Sequence, residues 1–279
     1  MNDIRKLSRV FSTSFLLKLS QNEHLDELNE LVENHKRLNR LVKENDYRRF
    51  YNELYLKFSK EYKFEYIYKN EVYYHLHKKY NIGKDDGILT EVKSGTNIAD
   101  LVYLNGTSKV YEIKTEIDTN KRLLGQIKSY SKLFKEVTVV TYQDNVEKVL
   151  SIIPEYVGVM VLVRNGEFEI VREAIEHTDD LDRESMFKTL RRKEYESVVL
   201  SRFGELPDVN DSRIYEACLD KFNELSVNNA HDAMISQLKL RSNKSLLRKN
   251  RKWPKSIYFL IENSNLKKYQ RENLLKVLN

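Results

Sequence analysis

Apolar residues recur at mostly helical spacing over 25–42, where Leu25, Leu28, Val32, Leu38 and Val42 stand among Glu, Asn, Lys and Arg, and this predicts an amphipathic helix. A second helix is predicted over 46–62 and a third over about 69–80. His35 and Asn39 interrupt any heptad register, which argues against a long coiled coil. Gly83-Lys84-Asp85-Asp86-Gly87 marks a loop, after which the pattern changes. Short runs rich in Val, Ile, Tyr and Thr follow at 89–93, 98–104, 109–115, 137–142, 157–163 and 168–174, and predict strands. Helical periodicity returns over 120–134 and 146–153. The order helix, three strands, helix, strand, helix, two strands predicts an α/β fold with a mixed sheet flanked by helices. Beyond about Asp179 only helices are predicted, over 186–203, 214–225, 236–250 and 257–279. Three regions result: a helical 1–64, an α/β 65–178 and a helical 179–279.

Composition narrows the class. The 279 residues carry 48 Lys+Arg against 42 Asp+Glu, a net charge of +6, and 41% are hydrophobic. Although the mean hydropathy is −0.62, that apolar fraction excludes a disordered chain. Eight Gly and three Pro leave few breakers, so long helices are expected and an all-β sandwich is not. One cysteine, Cys218, excludes an internal disulfide framework and a Cys-based zinc site. Arg5, Lys6 and Arg9 precede only a short apolar run that Ser12-Thr13-Ser14 interrupt, a poor secretory signal. No stretch is apolar enough for a membrane helix. A cytoplasmic protein with no membrane partner is expected, with a basic surface that permits a nucleic-acid partner.

Candidate chemistry concentrates in Ile98-Ala99-Asp100-Leu101-Val102, Asn105-Gly106 and Val110-Tyr111-Glu112-Ile113-Lys114. Side chains alternate faces along a strand, so Glu112 and Lys114 share one face. Two carboxylates converging beside a lysine suit a Mg²⁺ that keeps several waters and binds phosphate. The lysine can orient an attacking water and offset transition-state charge. Register decides whether the groups meet. A two-residue Asn105-Gly106 loop sets Asp100 opposite Tyr111, whereas a three-residue loop through Thr107 sets Asp100 directly opposite Glu112. Directly opposed Cβ atoms lie about 4.5–5.5 Å apart, close enough to share an ion. Acid-x-Lys also occurs at Glu61-x-Lys63 and Glu91-x-Lys93, where a charged pair on a solvated face suffices. Only Glu112-x-Lys114 has an aspartate on the preceding strand across a turn.

An Asp, a dozen residues, then Glu-x-Lys on the next strand, between two helices, resembles the PD-(D/E)XK nuclease superfamily. The likeness covers roughly 66–142. More loosely, the chain resembles a bacterial and phage branch in which the core is followed by a helical C-terminal region. The resemblance implies a restriction-endonuclease-like αβββαβ core and a Mg²⁺-dependent (or Mn²⁺-dependent) nuclease acting on DNA. It implies that Asp100 and Glu112 bind the metal and that Lys114 activates water. It also implies an acid on the first core helix, for which Glu71 fits best, and a Gln after the Lys strand, Gln126, with Tyr130 one turn on. Ala99 stands where the motif has proline, a position that supplies no ligand. Taken alone, Glu71 equally reads as an exposed helix acid and Gln126 as a packing amide. The basic run of Lys239, Arg241, Lys244, Arg248, Lys249, Arg251, Lys252 and Lys255 reads either as a solvated helix face or as a phosphate-backbone contact. His75 and His77 do not face each other on a helix, and His177 is expected to face solvent. Gly-rich phosphate loops, Gly-x-Ser-x-Gly and His-Glu-x-x-His are all missing. The alternatives to a deoxyribonuclease are a catalytically silent DNA-binding protein on the same fold and a structure-selective or RNA nuclease. A homodimer or a phage or bacterial protein partner is compatible with the helical flanks.

Overall fold

The computed structural model describes residues 2–80, 82–83, 85–163, 166–242 and 252–279. Four short helices, α1 (Asn2–Leu7), α2 (Thr13–Gln21), α3 (Leu25–Val32) and α4 (Lys36–Lys43), lead into α5 (Tyr47–Glu61) and α6 (Glu65–Lys79). Strands β1 (Gly87–Ser94), β2 (Asn97–Leu104) and β3 (Ser108–Ile113) follow, then α7 (Leu123–Ser131), β4 (Glu136–Thr141), α8 (Val146–Leu150), β5 (Gly158–Leu162) and β6 (Phe168–Arg172). The chain closes with α9 (Arg183–Thr189), α10 (Arg192–Phe203), α11 (Ile214–Asn223), α12 (Val227–Arg241), α13 (Tyr258–Asn263) and α14 (Lys268–Leu278). The six strands form one sheet in chain order. β1, β2 and β3 are antiparallel, β3, β4 and β5 are parallel, and β6 returns antiparallel to β5. The expected α/β class with a mixed sheet and flanking helices is present.

Alternation along the strands, with a one-residue phase shift at Asp100 between Ala99 and Leu101, divides the core in two. Leu101, Tyr103, Tyr111, Ile113, Val140 and Met160 face a layer built from α1–α6, α13 and α14. Ala99, Val102, Leu104, Val110, Val137 and Val139 face α7 and α9–α12. The helical 179–279 segment is therefore not one layer. Its first part covers one sheet face, whereas α14 packs on α2 with the N-terminal helices. The guanidinium of Arg48 fastens that return by donating to the Leu278 and Lys252 carbonyls and to Asn279 Oδ1.

The expected long helices are broken into shorter ones, none above 15 residues among those described. The predicted 25–42 helix is interrupted at His35, which leaves helical geometry with ψ 77°. The predicted 186–203 helix breaks at Leu190 and the 257–279 helix at Ser264, both extended. α12 begins well before the expected 236, because Ser226 caps it by accepting from the Asn229 N–H. Short polar side chains and extended residues do here what Gly and Pro do elsewhere, so a low Gly and Pro content did not guarantee length. Residues 243–250 of the predicted 236–250 helix lie outside the described residues.

Two contacts hold the antiparallel strands β1–β3. Ser242 Oγ accepts from the Ile88 N–H and donates to its carbonyl, occupying the open edge of β1. Ser108 Oγ bonds His231 Nε2 at 2.9 Å and accepts from the Lys135 N–H. Leu104 pairs with Ser108, so the connection is the three-residue loop through Thr107, with Gly106 at φ 88°. Gly106→Ala is expected to lower stability by about 1–2 kcal/mol, because an L side chain strains a left-handed residue. Gly125→Ala, on the open side of α7, should raise stability by about 0.5–1 kcal/mol. Urea denaturation of both variants checks the opposite signs.

Candidate active site

Asp100 sits where two ladders lapse. β1 and β2 pair at Thr90↔Leu101 and again at Val92↔Ala99, and the β2–β3 ladder ends at Leu101↔Tyr111. Continuing both registers places Glu91 on one side of Asp100 and Glu112 on the other. Glu91 adopts φ 56° in mid-strand, an uncommon conformation for a residue other than glycine. Released from regular pairing, the Asp100 carboxylate bridges to β3, where Oδ2 accepts from the Ile113 N–H at 2.8 Å. Lys69 Nζ, on α6, lies 3.6 Å from Oδ1 and is also paired with Glu65.

Glu112 is 2% exposed and Lys114 7%. Lys114 Nζ donates to Glu112 Oε1 and to Gln126 Oε1, each at 2.8 Å. Gln126 returns its amide N–H to Glu112 Oε1, and the Tyr130 hydroxyl lies 2.8 Å from Glu112 Oε2. Gln126 and Tyr130 are one turn apart on α7, on the side where Leu123, Ile127 and Tyr130 are buried against the sheet. The Lys114 backbone is fixed by its N–H to the Val140 carbonyl and by Thr141 Oγ1 donating to its own carbonyl. Burial and the Glu112 charge push the Asp100 carboxyl up to about 7, against the pull of the Ile113 N–H and Lys69. Burial and the same Glu112 charge push the Tyr130 phenol up.

The fold thus brings Asp100, Glu112, Lys114 and Gln126 together and leaves Glu71 out. Glu71 lies elsewhere on α6, its Oε1 accepting from Tyr55 OH and its Oε2 from Lys255 Nζ, both at 2.7 Å. The acid that α6 does bring near Asp100 is Glu65, through Lys69. The i,i+4 spacing of Glu65 and Lys69 was the available signal. Among the described residues no group of three or more His, Cys, Asp or Glu is placed to hold a metal. A cation here would therefore rest on two carboxylates and water. Their chemistry fits one: the donors are hard oxygens, and Glu112 accepts from Lys114 and Gln126 on Oε1 alone, while the one Tyr130 hydroxyl hydrogen lies between Oε2 and the Ile98 carbonyl, so Oε2 keeps acceptor capacity.

The basic run is dispersed where it is described. Arg241 is tied to Glu194 and to the Thr189 carbonyl. The Lys239 stem packs against Gly87, Lys255 pairs with Glu71, and Lys252 is exposed. Lys244, Arg248, Lys249 and Arg251 lie outside the described residues. His75 packs on Phe168 and His77 on Tyr73, so the two point to different partners. Instead of facing solvent freely, His177 is stacked on Tyr156 at 3.9 Å and bonded to Asp180. No helix among the described residues is long and apolar enough to cross a membrane.

The fold and site define an α/β protein with a mixed six-stranded sheet and a buried carboxylate–lysine cluster at the end of β3. Residues 58–261, most of the chain and all of this cluster, match the family described as bacteriophage P4 protein cII, and the chain belongs to that family. Protein cII of Enterobacteria phage P4 is 33% identical over 78 residues, covering 27% of this chain. The matched segment spans 30% of that protein's length. No solved structure matches.

The raised Asp100 carboxyl has a signed consequence. Between the ordinary value of 3.8 and about 7 the folded protein holds a proton that the unfolded chain releases, so stability falls as pH rises through that window. Denaturation at pH 4, 5.5, 7 and 8 should show wild type losing stability relative to Asp100→Asn up to about pH 7. Parallel pH profiles for the two proteins would contradict the burial of this carboxylate beside Glu112.

Proposed function

We propose that this chain is a Mg²⁺-dependent nuclease that hydrolyses phosphodiester bonds in DNA. The observation that carries this reading is the β2–β3 register, which, continued one residue past Leu101↔Tyr111, sets Asp100 beside Glu112, with the Lys114 ammonium held by Glu112. The order α6, β1, β2, β3, α7, β4 supports it, since it agrees with the αβββαβ core of the restriction-endonuclease-like fold. Asp100 and Glu112 would hold the cation, Mg²⁺ or Mn²⁺, through oxygen. A cation so bound supplies Lewis-acid stabilisation of phosphoryl oxygens. Lys114, aimed by Glu112 and Gln126, orients the attacking water and offsets charge that develops on the phosphate.

One observation favours a second reading. Both Glu112 oxygens are already hydrogen-bonded in a buried network, which is complete as a polar core without turnover. A DNA-binding protein that does not cut would keep it equally well.

Cleavage of linear, circular and single-stranded DNA with Mg²⁺ or Mn²⁺ separates the two. The nuclease reading expects cutting by wild type and at least a ~100-fold loss in Lys114→Ala and Asp100→Asn. Salt-sensitive binding by all three proteins with no cutting would establish the second reading instead.

A further inference from the structure

Glu71, which the candidate active site does not use, lies at a cavity of about 770 Å³ between α5, α6, Gly166 and the segment entering α13. Its carboxylate accepts from Tyr55 OH and pairs with Lys255 Nζ. Gly166, at φ 75°, lies directly against the carboxylate, and a Cβ there would collide with Oε2. Lys255 is held in turn by Glu71 and by the Tyr74 ring beneath its ammonium. Two further lysines line the cavity, Lys60 and Lys63. Neither has a carboxylate partner among the described residues, and Lys63 Nζ has only a long 3.5 Å bond to the Leu162 carbonyl.

Three ammonium groups against one carboxylate leave two positive charges on the cavity wall. The neutral groups sort themselves accordingly. Ser59 and Ser256 spend their hydroxyl hydrogens on the Tyr55 carbonyl and on Asn52 Oδ1, which turns the Asn52 amide so that its N–H₂ is the donor left over. The Lys60 and Lys63 ammoniums and the Asn52 N–H₂ are thus the donors on the wall, beside the acceptor lone pairs of the two serine hydroxyls, in a concave site of the size that takes a small ligand.

We propose that this cavity binds a phosphate monoester, whose charge of about −1.5 to −2 at neutral pH matches the uncompensated lysines. Lys60 and Lys63 supply the attraction, and Lys255, pinned by Glu71, supplies a fixed donor. The ester is that of a free nucleotide or that of a phosphorylated strand end. The proposal does not rest on nuclease activity, because none of these residues belongs to the Asp100–Glu112–Lys114 cluster.

Calorimetric titration of the full chain tests it, with adenosine 5′-monophosphate against adenosine and a 5′-phosphorylated DNA decamer against its 5′-hydroxyl counterpart. At least one phosphorylated probe should bind tenfold or more tightly than its unphosphorylated counterpart. That preference should drop at least tenfold in a Lys60→Gln, Lys63→Gln double variant and stay within twofold in Lys114→Ala. Preference for the nucleotide alone identifies a free ligand, and preference for the decamer identifies a strand end. The two lysines are at least partly exposed, and an unchanged melting temperature of the double variant shows that its fold is intact. No preference for phosphate in either pair, an undiminished preference in the double variant, or its loss in Lys114→Ala overturns the proposal.

Discussion

A carboxylate buried in an apolar sheet must have its charge compensated and its lone pairs occupied, and Glu112 imposes that demand on everything around it. Lys114 meets the charge from two residues along the same strand. Gln126 donates to Oε1 and the Tyr130 hydroxyl sits against Oε2, both from α7. Because those two residues share a helix side with Leu123 and Ile127, apolar packing and polar satisfaction fix the same docking of α7. Removing any one partner leaves a buried charge short of a donor, which costs more than the contact itself contributes.

The cluster lies where the two halves of the core meet. α7 reaches Glu112 from one sheet face, while α6 brings Lys69 to Asp100 from the layer on the other. α6 is itself held by α5 and by the returning C-terminal segment, through Asn70 to the Lys255 carbonyl and the Phe259 N–H. One helix therefore presents Lys69 to the sheet and Glu71 to the basic cavity. The two features share a support without sharing residues.

Much of this was legible from local chemistry. Asn105-Gly106-Thr107 offered two registers, and the unusual placement of Asp100 and Glu112 on otherwise apolar strands singled out the one observed. Gln126, with Tyr130 one turn on, came from the resemblance to the PD-(D/E)XK superfamily, which implies a Gln on the helix after the Lys strand. Glu71 was misplaced because α6 is buried over much of its surface, from Tyr66 through His77, so periodicity gave no phase for its acids. The return of α14 to α2 depends on contacts between residues more than 200 positions apart, such as Arg48 with Leu278, for which a local pattern carries no signal. The helix breaks at His35, Leu190 and Ser264 were hidden for another reason: none involves Gly or Pro.

The central claim is that Asp100 and Glu112 form one divalent-cation site. Anomalous diffraction from crystals grown with Mn²⁺ tests it most directly. The account predicts a manganese peak within coordinating distance, about 2.0–2.6 Å, of an oxygen from each carboxylate. Crystals saturated with Mn²⁺ that show the peak elsewhere, or none while Glu112 keeps Lys114, Gln126 and Tyr130 as its partners, would contradict it.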